Sequence, residues 1–232
     1  MASFVEIKSI TEALGHITDT TEFVFFDIDN TLLMAGDRAN IVSWANGFEK
    51  YIRTTYATQK NLTIQEQEVL IQYHITEYAN TMQTQLVEPA ALDLIKTLQQ
   101  RNIHIIALTA RPHDTAAATT IQLLQSGIQL ANHVFAPNQF TLNTLAHPII
   151  FQDGILSCGR NSKGTTAQHF FNMVNFKPKS MVFIDDCAQY MDEMAQYSRL
   201  ANIEFTGLRY GHLDEQVKQF VFSPEHVPPH LR

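Results

Sequence analysis

The stretch Glu22-Phe23-Val24-Phe25-Phe26-Asp27-Ile28-Asp29-Asn30-Thr31 is apolar up to Asp27 and then turns acidic. Nothing in Phe23 to Phe26 alternates, so it reads as a strand buried on both faces. Carboxylates at the end of such a strand are rarely buried without a partner. They must meet water, a cation or a ligand. In open α/β sheets ligands gather beyond the carboxyl ends of the strands. Turn chemistry is the alternative, because aspartates also cap the backbone amides of a tight loop.

Two more apolar runs end in the same manner. Asn102-Ile103-His104-Ile105-Ile106-Ala107-Leu108 stops at Thr109, followed by Ala110-Arg111-Pro112, and Ser180-Met181-Val182-Phe183-Ile184 stops at Asp185-Asp186. Helical patterns separate these runs, which is the βαβ arrangement of a parallel sheet. Parallel strands place their carboxyl ends on one edge. Asp27, Asp29, Thr109, Asp185 and Asp186 are therefore expected to converge. Four carboxylates close together need a cation to stay ionised. A donor set of oxygens without Cys or His points to Mg²⁺ rather than Zn²⁺.

These residues resemble the motifs of the haloacid dehalogenase (HAD) superfamily in its phosphatase form. Asp27-Ile28-Asp29-Asn30-Thr31 looks like its first motif and Thr109 in Leu108-Thr109-Ala110 like its second. Lys163 in Asn161-Ser162-Lys163-Gly164 looks like the third, and Asp185-Asp186 like the fourth. All four occur in the family's order, and the resemblance covers about Phe23 to Gly207. It implies an α/β, HAD-like (Rossmannoid) parallel sheet flanked by helices, with a small helical cap inserted after the first strand. It also implies roles. Asp27 is the nucleophile and Asp29 the general acid and base. Asp27 and Asp185 bind Mg²⁺ through side chains, Asp29 through its main-chain oxygen, and Asp186 through metal-bound water. Thr109, the Ala110 amide and Lys163 hold the phosphate. The stretch Ile149 to Leu156 leading into Lys163-Gly164 is also similar to a HAD-like group of Legionella and related intracellular bacteria, some of whose members look like effectors acting inside a host.

The chain has 232 residues, 45% of them hydrophobic, enough for one large domain or a core with an insert. A net charge of -7 argues against nucleic acid or an anionic membrane as the main partner. It leaves a phosphorylated substrate open, because Mg²⁺ and Lys163 reverse the sign locally. Two cysteines, Cys158 and Cys187, suit a reducing compartment. Cys187 reads as a small packed residue rather than a nucleophile. Met1 to Ile10 does not read as a signal peptide, and no apolar run has membrane-spanning length. A soluble, cytoplasmic protein is expected, with action as a secreted effector in a host cell as the variant that the resemblance implies.

The expected division is a core of residues 1–32 and 88–222, a helical cap of 33–87 and a linker-like, Pro-rich tail of 223–232. Ser9 with Glu12, and Thr63 with Glu66, have capping-box spacing. In the insert, Ile41, Trp44, Ala45, Phe48 and Ile52 form one helical stripe. Ile64, Ile71, Ile75, Tyr78, Met82 and Leu86 form a second. Trp44, Tyr51, Tyr56, Tyr73 and Tyr78 either pack the insert or line a pocket, and packing is the commoner fate of aromatics. Arg111 contacts phosphate or holds its loop. His133 to Ala136 reads as a short strand, Ile149 to Leu156 as a hairpin through Asp153-Gly154, and Ile203 to Thr206 as the last strand, ended by Gly207. Pro228 and Pro229 exclude a helical zinc site at His226 and His230.

The expected activity is Mg²⁺-dependent hydrolysis of a phosphomonoester through an aspartyl phosphate, with protein phosphotyrosine or another aryl phosphate as substrate. A small-metabolite phosphatase or phosphotransferase is one alternative. A binding module on an inactive phosphatase fold is another.

Overall fold

A computed structural model describes residues 2–36, 41–130 and 135–232. In chain order its strands are β1 (Ala2–Ile7), β2 (Phe23–Phe26), β3 (Leu33–Ala35), β4 (Thr84–Leu86), β5 (His104–Thr109), β6 (Phe140–Leu142), β7 (Ile149–Gln152), β8 (Ile155–Ser157), β9 (Ser180–Asp185) and β10 (Glu204–Tyr210). Its α-helices are α1 (Ile41–Tyr51), α2 (Ala57–Lys60), α3 (Ile64–Thr81), α4 (Ala91–Gln100), α5 (Ala116–Gln125), α6 (Lys163–Met173), α7 (Ala188–Ala201) and α8 (Asp214–Gln219). A π-helical turn, Ile52–Tyr56, joins α1 to α2.

Eight strands form one sheet in the order β1-β10-β9-β2-β5-β8-β7-β6. From β1 through β8 every neighbouring pair is parallel; β7 and β6 add an antiparallel edge. β2 lies in the middle, and all four of its residues are buried. Phe23 and Phe25 enter an aromatic core with Phe170, Phe171 and Phe183. Val24 and Phe26 enter the opposite core with Leu94, Leu98 and Val182. A strand that feeds two cores has no polar positions to alternate, which is why the sequence shows an unbroken apolar run.

Short-range signals account for much of the local structure. Both capping boxes are formed, the first opening a 3-10 turn over Ile10–Gly15 and the second opening α3. Asp153 and Gly154 both have positive φ (54° and 76°), as a two-residue hairpin turn of the primed kind requires. Other expectations fail for identifiable reasons. β10 does not end at Gly207 but runs to Tyr210. Gly207 is there because a Cβ would press on Met191 Sδ and on Phe4. β1 went unrecognised because it is an edge strand with Phe4 and Glu6 in the open. The strand expected from His133 begins on residues outside the described ones, and Phe135 and Ala136 are not in a strand.

Between β2 and α4 the chain leaves the sheet. The ends of this excursion pair as an antiparallel ladder, with Leu33 opposite Leu86 and Ala35 opposite Thr84. The second stripe therefore breaks after Thr81, and Leu86 belongs to β4. Ile64 is 74% exposed and is not part of the buried face. Trp44, Phe48, Ile52 and Ile71 make a separate core.

The tail is not linker-like. Val227 and Leu231 are buried in that same core. The Trp44 indole N–H donates to the His226 carbonyl (3.1 Å), and the Tyr51 hydroxyl donates to the Leu231 carbonyl (2.8 Å). Three prolines prevent a regular helix but not packing, and they leave carbonyls free to accept these bonds.

Candidate active site

β2 is hydrogen-bonded to β9 on one side and β5 on the other, with Phe26 opposite both Ile184 and Ala107. The residues just past these positions share one edge of the sheet. There the Lys163 ammonium bonds one oxygen of Asp27 and, at 2.6 Å, one oxygen of Asp185. Lys163 is the first residue of α6 and is fully buried. Ser162 caps the helix, while Glu193 of α7 accepts from the Lys163 amide at 2.8 Å. The side chain passes beside the Tyr190 ring, its ammonium 4.4 Å from the ring centroid. Sequence reading aims this lysine at the site, towards the phosphate; the structure places it between Asp27 and Asp185.

Asp27, Asp185 and Asp186 each offer an oxygen within 4.8 Å of the others. The second Asp185 oxygen accepts from the Cys187 amide (2.7 Å), and Asp186 accepts from the Asn30 side chain (3.0 Å). Asn30 reaches Asp186 from a left-handed backbone position (φ 64°), which asparagine tolerates better than most residues. Burial pushes the Asp27 carboxyl up to about 8, Asp186 to about 7 and Asp185 to about 6; neighbouring carboxylates add to this and Lys163 opposes it. Burial also works against the Lys163 ammonium, but Asp185 and Asp27 outweigh it and raise the amine well above its ordinary value. One ammonium does not balance three carboxylates. The donor set, all oxygen and short of positive charge, fits a hard divalent cation. Burial raises the Cys187 thiol, away from the thiolate form that a nucleophile needs.

Asp29 is not one of the three clustered carboxylates, although its charge acts on Asp27 and Asp186. Both of its oxygens accept from Arg111, Nε and Nη2 each at 2.8 Å. Thr109 is buried, and its hydroxyl oxygen accepts from the Arg111 amide (3.1 Å). The Thr109 proton is thus left to donate elsewhere. Arg111 neither stands free for a phosphate nor merely supports its loop, as sequence reading had it, but grips the second aspartate. It is held in turn by Thr119 Oγ1 (3.1 Å) and Gln122 Oε1 (2.6 Å) on α5.

Beside Ala110 lies a cavity of about 730 Å³, walled by Val69 and Ile75 of α3, by Pro112 and Pro148, and edged by His113 and Arg160. The insert aromatics do not line it. Trp44 stacks on Phe48 and touches Tyr78, and Tyr56 and Tyr73 flank a neighbouring groove that shares Val69 with the cavity.

The family described as "Protein of unknown function (DUF2608)" matches residues 4–227. The chain belongs to the DUF2608 family. This family member is 23% identical over 211 residues to a Chlamydia pneumoniae protein described as "Putative outer membrane protein", covering 89% of this chain and 76% of the relative. Among solved structures, it is similar to a haloacid dehalogenase-like hydrolase from Streptococcus pneumoniae, with 13% identity, a TM-score of 0.47 and coverage of 82% and 95% of the two chains. It is also similar to a phospho-aspartyl intermediate analogue of phosphoserine phosphatase, with 14% identity, a TM-score of 0.41 and coverage of 87% and 100%. A magnesium complex of a HAD family enzyme from Bacteroides thetaiotaomicron is a third, at 13% identity and a TM-score of 0.42, covering 80% and 92%. Among the described residues of this DUF2608 chain, no helix is long and apolar enough to cross a membrane.

Proposed function

We propose that this protein hydrolyses phosphomonoesters with Mg²⁺, through an aspartyl phosphate on Asp27. The observation that carries the reading is the buried Asp27–Lys163–Asp185 group, with Asp186 beside it, at the carboxyl ends of adjacent parallel strands. Phosphoryl transfer needs an in-line nucleophile, a proton donor and positive charge at the phosphoryl oxygens.

An Asp27 oxygen attacks phosphorus and the bond from phosphorus to the ester oxygen breaks. Asp29 gives its proton to the leaving oxygen. Water then attacks phosphorus and loses a proton to Asp29; the bond to Asp27 breaks and inorganic phosphate departs. Lys163 balances charge on Asp27 throughout. The Thr109 hydroxyl and Ala110 amide donate to phosphate oxygens. Asp27, Asp185, Asp186 and the Asp29 main-chain oxygen are the groups that would hold Mg²⁺, which supplies positive charge to the phosphoryl group. Residues 33–87 act as a cap over the core of 1–32 and 88–222.

The apolar walls of the cavity beside Ala110 support an aryl leaving group, and of these phosphotyrosine on a protein is our choice. The resemblance to the Legionella group supports action inside a host cell within the same reading.

The test is cleavage of 4-methylumbelliferyl phosphate with Mg²⁺, abolished by a chelator. Asp27→Asn should lower turnover on the order of 10⁴-fold or more, since a carboxamide is no nucleophile. Near-normal turnover in that variant ends the reading. Phosphotyrosine peptides should exceed phosphoserine peptides and sugar phosphates in kcat/KM; a preference for a sugar phosphate would move the substrate to small metabolites.

A further inference from the structure

Arg111 is 4% exposed and spends its donors in one connected set of bonds. Nε and Nη2 hold both oxygens of Asp29, and Nη1 reaches Thr119 Oγ1 and Gln122 Oε1. The Gln122 side chain has a second end. Its Nε2 donates to the main-chain carbonyls of Ala79 (2.9 Å) and Met82 (3.2 Å), where α3 stops and the chain turns back towards the sheet. A continuous line of hydrogen bonds, buried as far as Arg111 and part-buried at Asp29, thus runs from the end of the insert, through Gln122 and Arg111, to the second aspartate. A fork on both oxygens fixes the plane of a carboxylate as well as its place. Networks of this kind rigidify when every member is satisfied.

We infer that Arg111 is the positioning residue for Asp29, and that Gln122 ties Asp29 to the seating of the insert. The inference rests on the phosphatase reading above, in which Asp29 delivers the proton to the leaving oxygen. The insert that walls the substrate cavity and the acid that serves the leaving group are then set together. When α3 shifts, the Ala79 and Met82 carbonyls shift, Gln122 follows, and the Arg111 fork moves with it.

The experiment compares two esters in the Mg²⁺-loaded full chain. Phenyl phosphate needs a proton on its departing oxygen, whereas 2,4-dinitrophenyl phosphate does not. The value of kcat/KM reports events through transfer to Asp27. Arg111→Ala should lower kcat/KM for phenyl phosphate about 10²-fold and for the dinitrophenyl ester by no more than about threefold. The ratio between esters does not change when part of the protein is unfolded, because both rates then fall together. Arg111→Lys should show the same ratio as Arg111→Ala, since a point charge cannot hold both oxygens in a fork. Gln122→Met should move the ratio in the same direction by a smaller factor. Equal losses for both esters in Arg111→Ala, or a normal ratio in Arg111→Lys, overturn the role of Arg111. A normal ratio in Gln122→Met overturns the tie to the insert. If the unaltered protein cleaves neither ester, the phosphatase reading fails and takes this inference with it; if it cleaves both, a failure here leaves that reading standing.

Discussion

Asp27, Asp185 and Asp186 are held more protonated in the folded chain than in the unfolded one, where a carboxyl titrates near 3.8. From that value upward the folded protein therefore binds more protons than the unfolded protein. The stability these groups contribute is fully present below the unfolded value of 3.8, is lost progressively as pH rises above it, and is gone once pH has passed the folded values of about 6 to about 8. A divalent cation binds the ionised forms and competes with those protons. Adding Mg²⁺ should raise the melting temperature little near pH 5 and progressively more towards pH 8. Melting curves with and without Mg²⁺ at several pH values check this; a shift that is constant or shrinks with pH counts against a cation among these carboxylates. The aspartates were legible because each sits where an apolar run stops. Arg111 was not matched to Asp29, because Asp29 lies 82 positions away. A signal existed: Thr115, Thr119 and Gln122 recur at helical spacing and are all buried, a polar stripe on a core-facing helix.

At the scale of elements, α6 crosses α7 at close quarters. A Cβ on Gly164 would collide with the main-chain carbonyl of Glu193, so the two helices touch backbone to backbone there. Gly164→Ala should destabilise by about 1–3 kcal/mol, against the usual gain of alanine over glycine in a helix. The strain falls one residue from Lys163, so turnover should drop as well. Denaturant unfolding with a parallel rate assay checks both; a more stable variant would show that the helices part freely. Their contact distance was not legible, because a glycine chosen for a neighbour's backbone looks no different from one chosen for a turn. Gly207 misled in the same way.

On the scale of the molecule, the insert completes its core only with the end of the chain. Each buried apolar side chain of the size of Val227 or Leu231 contributes about 1.5–3 kcal/mol. A phenyl ring at Phe222 fills the space over Gly47, where a Cβ would clash with it. Removing residues 221–232 should leave the parallel sheet folded while α1 and α3 lose protection, which amide hydrogen exchange resolves by segment. Unchanged protection in α1 would show that the insert stands without the tail. The centre of the parallel sheet was legible because β2, β5 and β9 are continuous apolar runs, a local property. The docking of the tail was not, since it depends on two carbonyls and two aliphatic side chains meeting partners some 180 residues earlier.

Trp44 is the sole tryptophan of the chain, and its indole is bonded to the tail inside the core of the insert. Its ultraviolet emission therefore reports on that one junction without any label. Blue emission marks the tail seated, and a red shift marks indole meeting water. Titrating substrate against that signal would read movement of the insert directly.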